Sequence, residues 1–224
     1  MNTKHIVSTL AMTGLIFSLG TSTDSYAENL SISDLGSLSD TRTEGYATLM
    51  GILFLREAGT HFQAANFHDF PAGTVPQPGA GTLIRSPQSV HARFAMGGLD
   101  ADAAYTMWWV IWNDPSACAT SPCGLADLGA PGNAVQYATG FVTGADGTAN
   151  VSTDLTDDAP PVGLNVIIPG GLAKSNGFGA EIHLLVQSHG GIDPGYVDLQ
   201  ISIDFAACNP ECVIQQAIMF PPVN

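Results

Sequence analysis

The sequence predicts an all-β fold, an antiparallel β-sandwich of the jelly-roll or Ig-like kind with about eight to ten strands and an irregular N-terminal segment. Three observations support this prediction. One central stretch carries large apolar residues on both of its alternating faces, and several later segments alternate apolar and polar residues with the two-residue period of a strand. Glycine and proline separate these segments, as is typical of short strands joined by turns.

The central stretch is AYTMWWVIWN, from Ala104 to Asn113, and it contains all three tryptophans of the chain. Tyr, Thr, Trp, Val and Ile favour strands, and a strand places alternate side chains on opposite faces. We therefore expect a strand that is covered on both sides. One face would carry Tyr105, Met107, Trp109 and Ile111, and the other Thr106, Trp108, Val110 and Trp112.

The N-terminal residues predict export from the cell. Residues 1–27 resemble a signal peptide, with Lys4 near the start, an apolar run, and small residues before a cleavage point after Ala27. Residues 28–45 are predicted to be a flexible lead-in, and residues 46–224 a single β domain. Residues 46–55 fit a helix or a strand, with a slight preference for strand. The predicted location is secreted or periplasmic.

The predicted elements of the first half begin after a long surface loop at residues 61–78. A short strand follows at residues 81–85. Residues 89–96 alternate as a half-buried strand, which we expect to pair with the tryptophan strand.

The second half of the chain adds further strands. Residues 134–143 and 148–155 flank Gly144-Ala145-Asp146-Gly147, which predicts a hairpin. Residues 164–168 fit a short strand or a buried loop. Residues 180–189 and 197–205 each have one clean apolar face, and residues 213–220 could form a closing strand.

The charge and the cysteines limit the possible partners. The formal net charge is −14, so nucleic acid and anionic membranes are disfavoured, because both are bound mainly through Lys and Arg. We expect no transmembrane segment in the mature form and no cofactor. The four cysteines form two close pairs, Cys118 with Cys123 and Cys208 with Cys212. Local disulfides are expected in an exported protein, and a four-cysteine zinc site is the alternative.

Four motifs occur in order along the chain: GTLIR at Gly81, YTMWWV at Tyr105, CxxxxCG from Cys118, and AEIHLLVQSHG at Ala180. Together they resemble an uncharacterised family of secreted bacterial and archaeal proteins. The resemblance continues to Cys208 and Cys212. It implies a secreted protein, but the family has no established activity, and it therefore implies no catalytic residues.

The candidate ligand-binding residues come from the last two predicted alternating strands. If these strands form a hairpin, one register would place His189 near Asp198 and His183 near Asp204. A His/carboxylate face of this kind could hold a polar ligand or a divalent metal, or it could be an ordinary wet sheet face. The candidate residues are Glu181, His183, Gln187, His189, Asp198 and Asp204.

The function predicted from these features is that of a secreted, non-catalytic β-sandwich, an extracellular or envelope-associated binding module of unknown ligand. The sequence contains no nucleophile elbow, phosphate-binding loop or HExxH motif. The alternative is a metal-binding protein or metal-dependent enzyme that uses the polar face around His183. Whether the protein is an enzyme at all is left open, with a preference for no.

Overall fold

The structure is a computed structural model that describes residues 59–158, 166–202 and 207–223. All of these residues belong to one unit of the chain, Leu53–Asn224. The predicted signal peptide, the lead-in and residues 46–55 lie outside the described residues. The strands are β1 (His61–Asp69), β2 (Pro76–Arg85), β3 (Ser89–Met96), β4 (Ala103–Trp112), β5 (Asn133–Val142), β6 (Ala149–Thr156), β7 (Val166–Ile168), β8 (Glu181–Gly191) and β9 (Val213–Phe220).

These nine strands form one sheet in the order β6-β3-β2-β1-β9-β8-β4-β5-β7. Every neighbouring pair is antiparallel. The described helices are short: two 3₁₀ turns, Pro115–Ala117 and Leu125–Asp127, and one α-helix, α1 (Val197–Gln200). The prediction of an all-β, antiparallel fold is confirmed. None of the described helices has the length and apolar character that a membrane-spanning helix needs.

The sheet curls so that its two ends approach each other, which gives it the enclosed core of a sandwich. The Thr153 hydroxyl of β6 donates to the Ala138 carbonyl of β5 at 2.9 Å, although these strands lie near opposite ends of the strand order. The main core contains buried side chains from every strand except β7. Curling therefore allows one sheet to bury its concave face.

The predicted turn between β5 and β6 is present, but the predicted hairpin is wrong. The turn itself is tight, since the Gly147 N–H donates to the Gly144 carbonyl at 3.0 Å. Gly147 has a φ of +67°, and a Cβ there would lie 2.2 Å from the Leu99 carbonyl oxygen. The two strands diverge from this turn, because β5 pairs with β4 and β7 while β6 pairs with β3.

Strand β4 is buried along its whole length, as the sequence predicts. Trp109 and its neighbours on one face belong to the main core. Trp108, Val110 and Trp112 belong to a second, smaller cluster with Cys123 and Val135. The strand is thus covered on both faces.

Two predictions for the first half of the chain, one of a surface loop and one of a strand pairing, are wrong. Residues 61–78 are not a surface loop, since β1 occupies His61–Asp69 and β2 begins at Pro76. The small and polar residues of β1 show no clear alternation of apolar and polar side chains, and among its described positions only Phe67 is buried. Strand β3 pairs with β2 and β6 and does not pair with the tryptophan strand.

The C-terminal part of the chain is predicted correctly at one strand and wrongly at another. The closing strand is β9, Val213–Phe220. The predicted strand at residues 197–205 begins instead with helix α1, and residues 203–206 lie outside the described residues. Both edges of β8 are occupied by β4 and β9, so β8 has no free edge for the predicted hairpin partner.

Candidate functional site

The predicted polar face of β8 is buried. Glu181 is 4% exposed, His183 7%, Gln187 2% and His189 0%. These residues share the face of the sheet that carries Trp108 and Trp112 on the adjacent strand β4, and the two disulfide loops contact this face through Cys123 and Cys212. The expectation of a wet sheet face is therefore wrong, because the apolar second face of β4 requires a cover that also encloses its polar neighbours.

Glu181 and His183 connect the sheet to the Cys118–Cys123 loop. The Glu181 carboxylate accepts a hydrogen bond from the Cys123 N–H at 2.8 Å and lies 2.8 Å from His183 Nε2. Because a carboxylate only accepts, the His183 Nε2 carries the proton in this contact. The Trp112 ring lies edge-on to the His183 imidazole, with centroids 4.6 Å apart.

The loop that begins at Cys118 is organised by Asp127. Its carboxylate accepts from the N–H groups of Ala119 and Gly124 at 2.7 and 2.8 Å, and from the Thr120 hydroxyl at 2.9 Å. These hydrogen bonds, first that from Gly124 and then those from Ala119 and Thr120, hold the pKa of Asp127 below its usual value. The Asp127 carbonyl also accepts from the Trp112 indole N–H at 3.1 Å. The loop is thereby fixed over the His183 end of β8.

His189 lies near the other end of β8 in a separate network. Its Nε2 is 2.9 Å from the Thr106 hydroxyl, which also accepts the Trp108 indole N–H at 2.9 Å. The Gln187 amide nitrogen lies 3.4 Å from the same Nε2. His189 Nδ1 is 3.5 Å from Cys212 Sγ.

Of the two predicted aspartates, the structure describes only Asp198, and that residue does not lie in the predicted position. Asp198 lies in the first turn of α1 and not on a strand opposite His189. Asp204 is outside the described residues. What α1 contributes to the end of β8 is Gln200, whose amide donates to the Gly191 carbonyl at 3.1 Å.

A cavity of about 120 Å³ lies at the His183 end of β8. His68 of β1 lies opposite Ala217 of β9, which lies opposite Leu185 of β8. Residues in directly opposed positions project on the same side of a sheet, and all three line the cavity. The walls are completed by Val110, Trp112, His183 and Met219 and by loop residues near Phe70 and Leu125.

His68 is the cavity residue that the sequence did not indicate, because it falls in the segment predicted to be a loop. Its Nδ1 is buried and makes no hydrogen bond to any described residue. Nothing in an irregular, polar segment of sequence indicates that one of its histidines lines a cavity. Only the pairing of β1 with β9 places His68 in the same cavity as His183.

The cysteine predictions are confirmed. Cys118 pairs with Cys123, and Cys208 with Cys212, with Cα–Cα distances of 5.5 and 5.1 Å. Among the described residues, one group of potential metal ligands converges: atoms of His189, Cys208 and Cys212 lie within 4.8 Å of one another. The two sulfur atoms are already joined, so this group is not a thiolate set as it stands. The group does not include His183.

No protein-family model, curated protein or solved structure matches the chain.

Proposed function

We propose that the protein is a secreted, non-catalytic binding module, extracellular or envelope-associated, that holds a small ligand in the cavity between His68 and His183. The ligand is a small molecule whose apolar part is at most about the size of a benzene ring and carries one hydrogen-bonding substituent. The resemblance to secreted proteins of unknown function and the two local disulfides support the predicted location.

The observation that carries this proposal is the buried His68 Nδ1 without a hydrogen-bond partner among the described residues. Leaving a buried polar atom unsatisfied costs about 1–3 kcal/mol. A ligand that offers a complementary donor or acceptor would recover this free energy. His68 lines the cavity, and a turn of its ring that brings Nδ1 to the cavity surface makes this nitrogen the polar half of the proposed binding site.

The other cavity walls determine the size and character of the ligand. Val110, Trp112, Leu185 and Met219 supply apolar contact surface, and such surfaces with a few polar groups are typical of small-molecule sites. The cavity volume of about 120 Å³ is somewhat below the roughly 150 Å³ that accommodates benzene in an apolar protein cavity. The site suits a small ring or branched alkyl group, and its polar end would meet His68.

The experiment uses phenol and toluene as probes of nearly equal size. Titration followed by NMR or calorimetry should show that phenol binds and that toluene binds at least about tenfold more weakly, since only phenol can satisfy His68. The substitution His68→Leu should remove this preference for phenol. Ala217→Leu should fill the cavity and weaken both probes.

The matched control is Ala64→Leu, the same change at an exposed position of β1, which should leave binding unchanged. Absence of phenol binding to the folded protein, or equal binding after Ala217→Leu, would overturn the proposed site. Stoichiometric copper or zinc in the purified protein that disappears in His183→Ala would favour the metal-binding alternative. Export is checked separately by an intact mass that starts at Glu28 and is lower by four hydrogens, two for each disulfide.

A further inference from the structure

The Cys208–Cys212 disulfide lies against a buried histidine at the end of β8 opposite to the cavity described above. His189 is 0% exposed, and its Nδ1 is 3.5 Å from Cys212 Sγ. The backbone of the cysteine loop is attached to the same strand, since the Asn209 N–H donates to the His189 carbonyl at 2.7 Å. Gly190 allows this close approach, because a Cβ there would lie 1.7 Å from the Asn209 carbonyl oxygen.

The described contacts of His189 favour the tautomer with its proton on Nδ1. A disulfide sulfur has no proton and can only accept, so a hydrogen bond between His189 and Cys212 needs the proton on Nδ1. On the other side of the ring, the Thr106 hydroxyl and the Gln187 amide can both donate to Nε2. The imidazole N–H is therefore directed at Cys212 Sγ.

The two sulfur atoms differ in their surroundings. Cys212 faces His189, whereas Cys208 lines an open cavity of about 370 Å³ that also includes Tyr196 and Leu199. Tyr196 is 60% exposed and Leu199 41%. A thiol that entered this cavity would meet Cys208, and Cys212 would be the departing sulfur.

We propose that Cys208–Cys212 is a redox-active disulfide that exchanges with thiols, with Cys208 as the attacked sulfur and His189 as the group that stabilises the departing Cys212. The substrate class is a thiol pair, either one dithiol or two monothiols. This site lies apart from the cavity between His68 and His183, so thiol exchange is a second activity, in addition to non-catalytic binding in that cavity.

The exchange balances in two steps. The thiolate of the incoming substrate bonds to Cys208 Sγ, the Cys208–Cys212 bond breaks, and Cys212 leaves as a thiolate that accepts the His189 Nδ1–H hydrogen bond. A second substrate thiolate then attacks the incoming sulfur and releases Cys208. The two substrate thiols are oxidised to one disulfide, the two cysteines are reduced, and the two protons from the substrate end on the cysteines through solvent. A leaving thiolate stabilised in this way departs faster.

The Cys118–Cys123 disulfide provides an internal control in the same molecule. Cys123 is 3% exposed and packs in the small core cluster with Trp112. Its N–H donates a hydrogen bond to the Glu181 carboxylate, which attaches the surrounding loop to the sheet. Thiol exchange should therefore be slow at this pair.

The test is reduction of the folded, exported protein by dithiothreitol, followed by trapping of free thiols and mass spectrometry of each cysteine peptide over time. Cys208–Cys212 should be reduced at least about tenfold faster than Cys118–Cys123. His189→Leu should remove most of this selectivity. His189→Asn should keep a large share of it, because the Asn side-chain nitrogen occupies the position of Nδ1 and still donates to Cys212.

Equal reduction rates of the two disulfides in the wild-type protein would overturn the proposal, and this comparison needs no variant. Unchanged selectivity in a folded His189→Leu protein would also overturn it. His91→Leu is the matched control, because His91 lies on β3, where it contacts Asp154, and this change should leave the selectivity unaltered. If His189→Leu does not fold, the comparison of His189→Asn with wild type still tests the role of the donor, and loss of selectivity in that variant would count against it.

Discussion

Trp108 and Trp109 are neighbours in sequence and lie in different clusters of the structure. Trp109 is 1% exposed in the main core, and Trp108 is 2% exposed in the smaller cluster on the other face of β4. Trp108 also donates its indole N–H to Thr106, the residue that orients His189. Adjacent residues of one strand thus stabilise two separate layers.

Both Trp108→Ala and Trp109→Ala should be severely destabilising. Each change removes a large buried side chain, and losses of about 3–5 kcal/mol are typical of such truncations. Denaturant unfolding of the two variants measures the effect directly. The control is Tyr196→Ala at an exposed position, which should change the free energy of unfolding by no more than about 0.5 kcal/mol. A mild effect at either tryptophan would mean that one face of β4 is open.

At the scale of elements, the loop that starts at Cys118 covers the second face of β4. The regular structure of the loop is one 3₁₀ turn, Leu125–Asp127, and side-chain hydrogen bonds fix its conformation. Asp127 is the centre of these bonds, and Glu181 attaches the loop to β8. Because an ionised carboxylate holds this loop, we expect the free energy of unfolding to depend on pH.

Asp127→Asn should destabilise the protein at neutral pH and have a smaller effect at low pH. Hydrogen bonds from the Gly124 N–H and then the Ala119 N–H hold the folded-state pKa of Asp127 below its usual value, so the ionised carboxylate stabilises the folded protein. The stability that it contributes is complete above the unfolded-state pKa and is lost as the pH falls through the lower folded-state pKa. The asparagine would also direct its side-chain N–H₂ at the Gly124 N–H or the Thr120 hydroxyl, and two donors that face each other cannot form a hydrogen bond.

The measurement is urea unfolding of wild type and Asp127→Asn at several pH values between 7 and about 2. The difference between the two proteins should be constant above roughly pH 5 and should shrink below about pH 4. Asp114→Asn is the control, since Asp114 is exposed and caps only the short turn at Pro115–Ala117. A difference that stays constant down to the lowest pH would contradict this role of Asp127.

On the scale of the whole molecule, Arg85 joins segments that are distant in the chain. It is fully buried, and its Nη atoms donate to four carbonyl groups, those of Gly177, Ala180, Phe220 and Pro221, at 2.8–3.0 Å. Its Nε donates to the Gln63 side chain. One residue at the end of β2 therefore fixes the start of β8, the end of β9 and strand β1.

Arg85→Met should cost at least about 3 kcal/mol, because several buried carbonyl groups lose their donor at once and each such loss costs about 1–3 kcal/mol. Chemical denaturation measures the change in the free energy of unfolding. Arg93→Met is the matched control, since Arg93 is exposed on the adjacent strand β3 and donates to His91. It should change stability by about 0.5 kcal/mol or less. Equal effects of the two substitutions would contradict the joining role of Arg85.

The sequence determined those features whose cause is local. The alternation along β3 and β8 and the apolar faces of β4 follow from the two-residue period of a strand, and the structure confirms these strands. The disulfides are also local, because four or five residues separate the cysteines of each pair. The resemblance to a family of secreted proteins stays a prediction.

Strand pairing and both proposed sites were decided by the tertiary structure. The turn at Gly144–Gly147 predicts a hairpin, yet in the curled sheet the two strands beside this turn pair with different strands. His68 and His183 share a cavity only because β9 lies between their strands, and His189 meets Cys212 only because the last loop returns to the end of β8. The physical reason is that a period specifies which side of a strand is buried, whereas the choice of neighbour depends on how the whole sheet closes over its core.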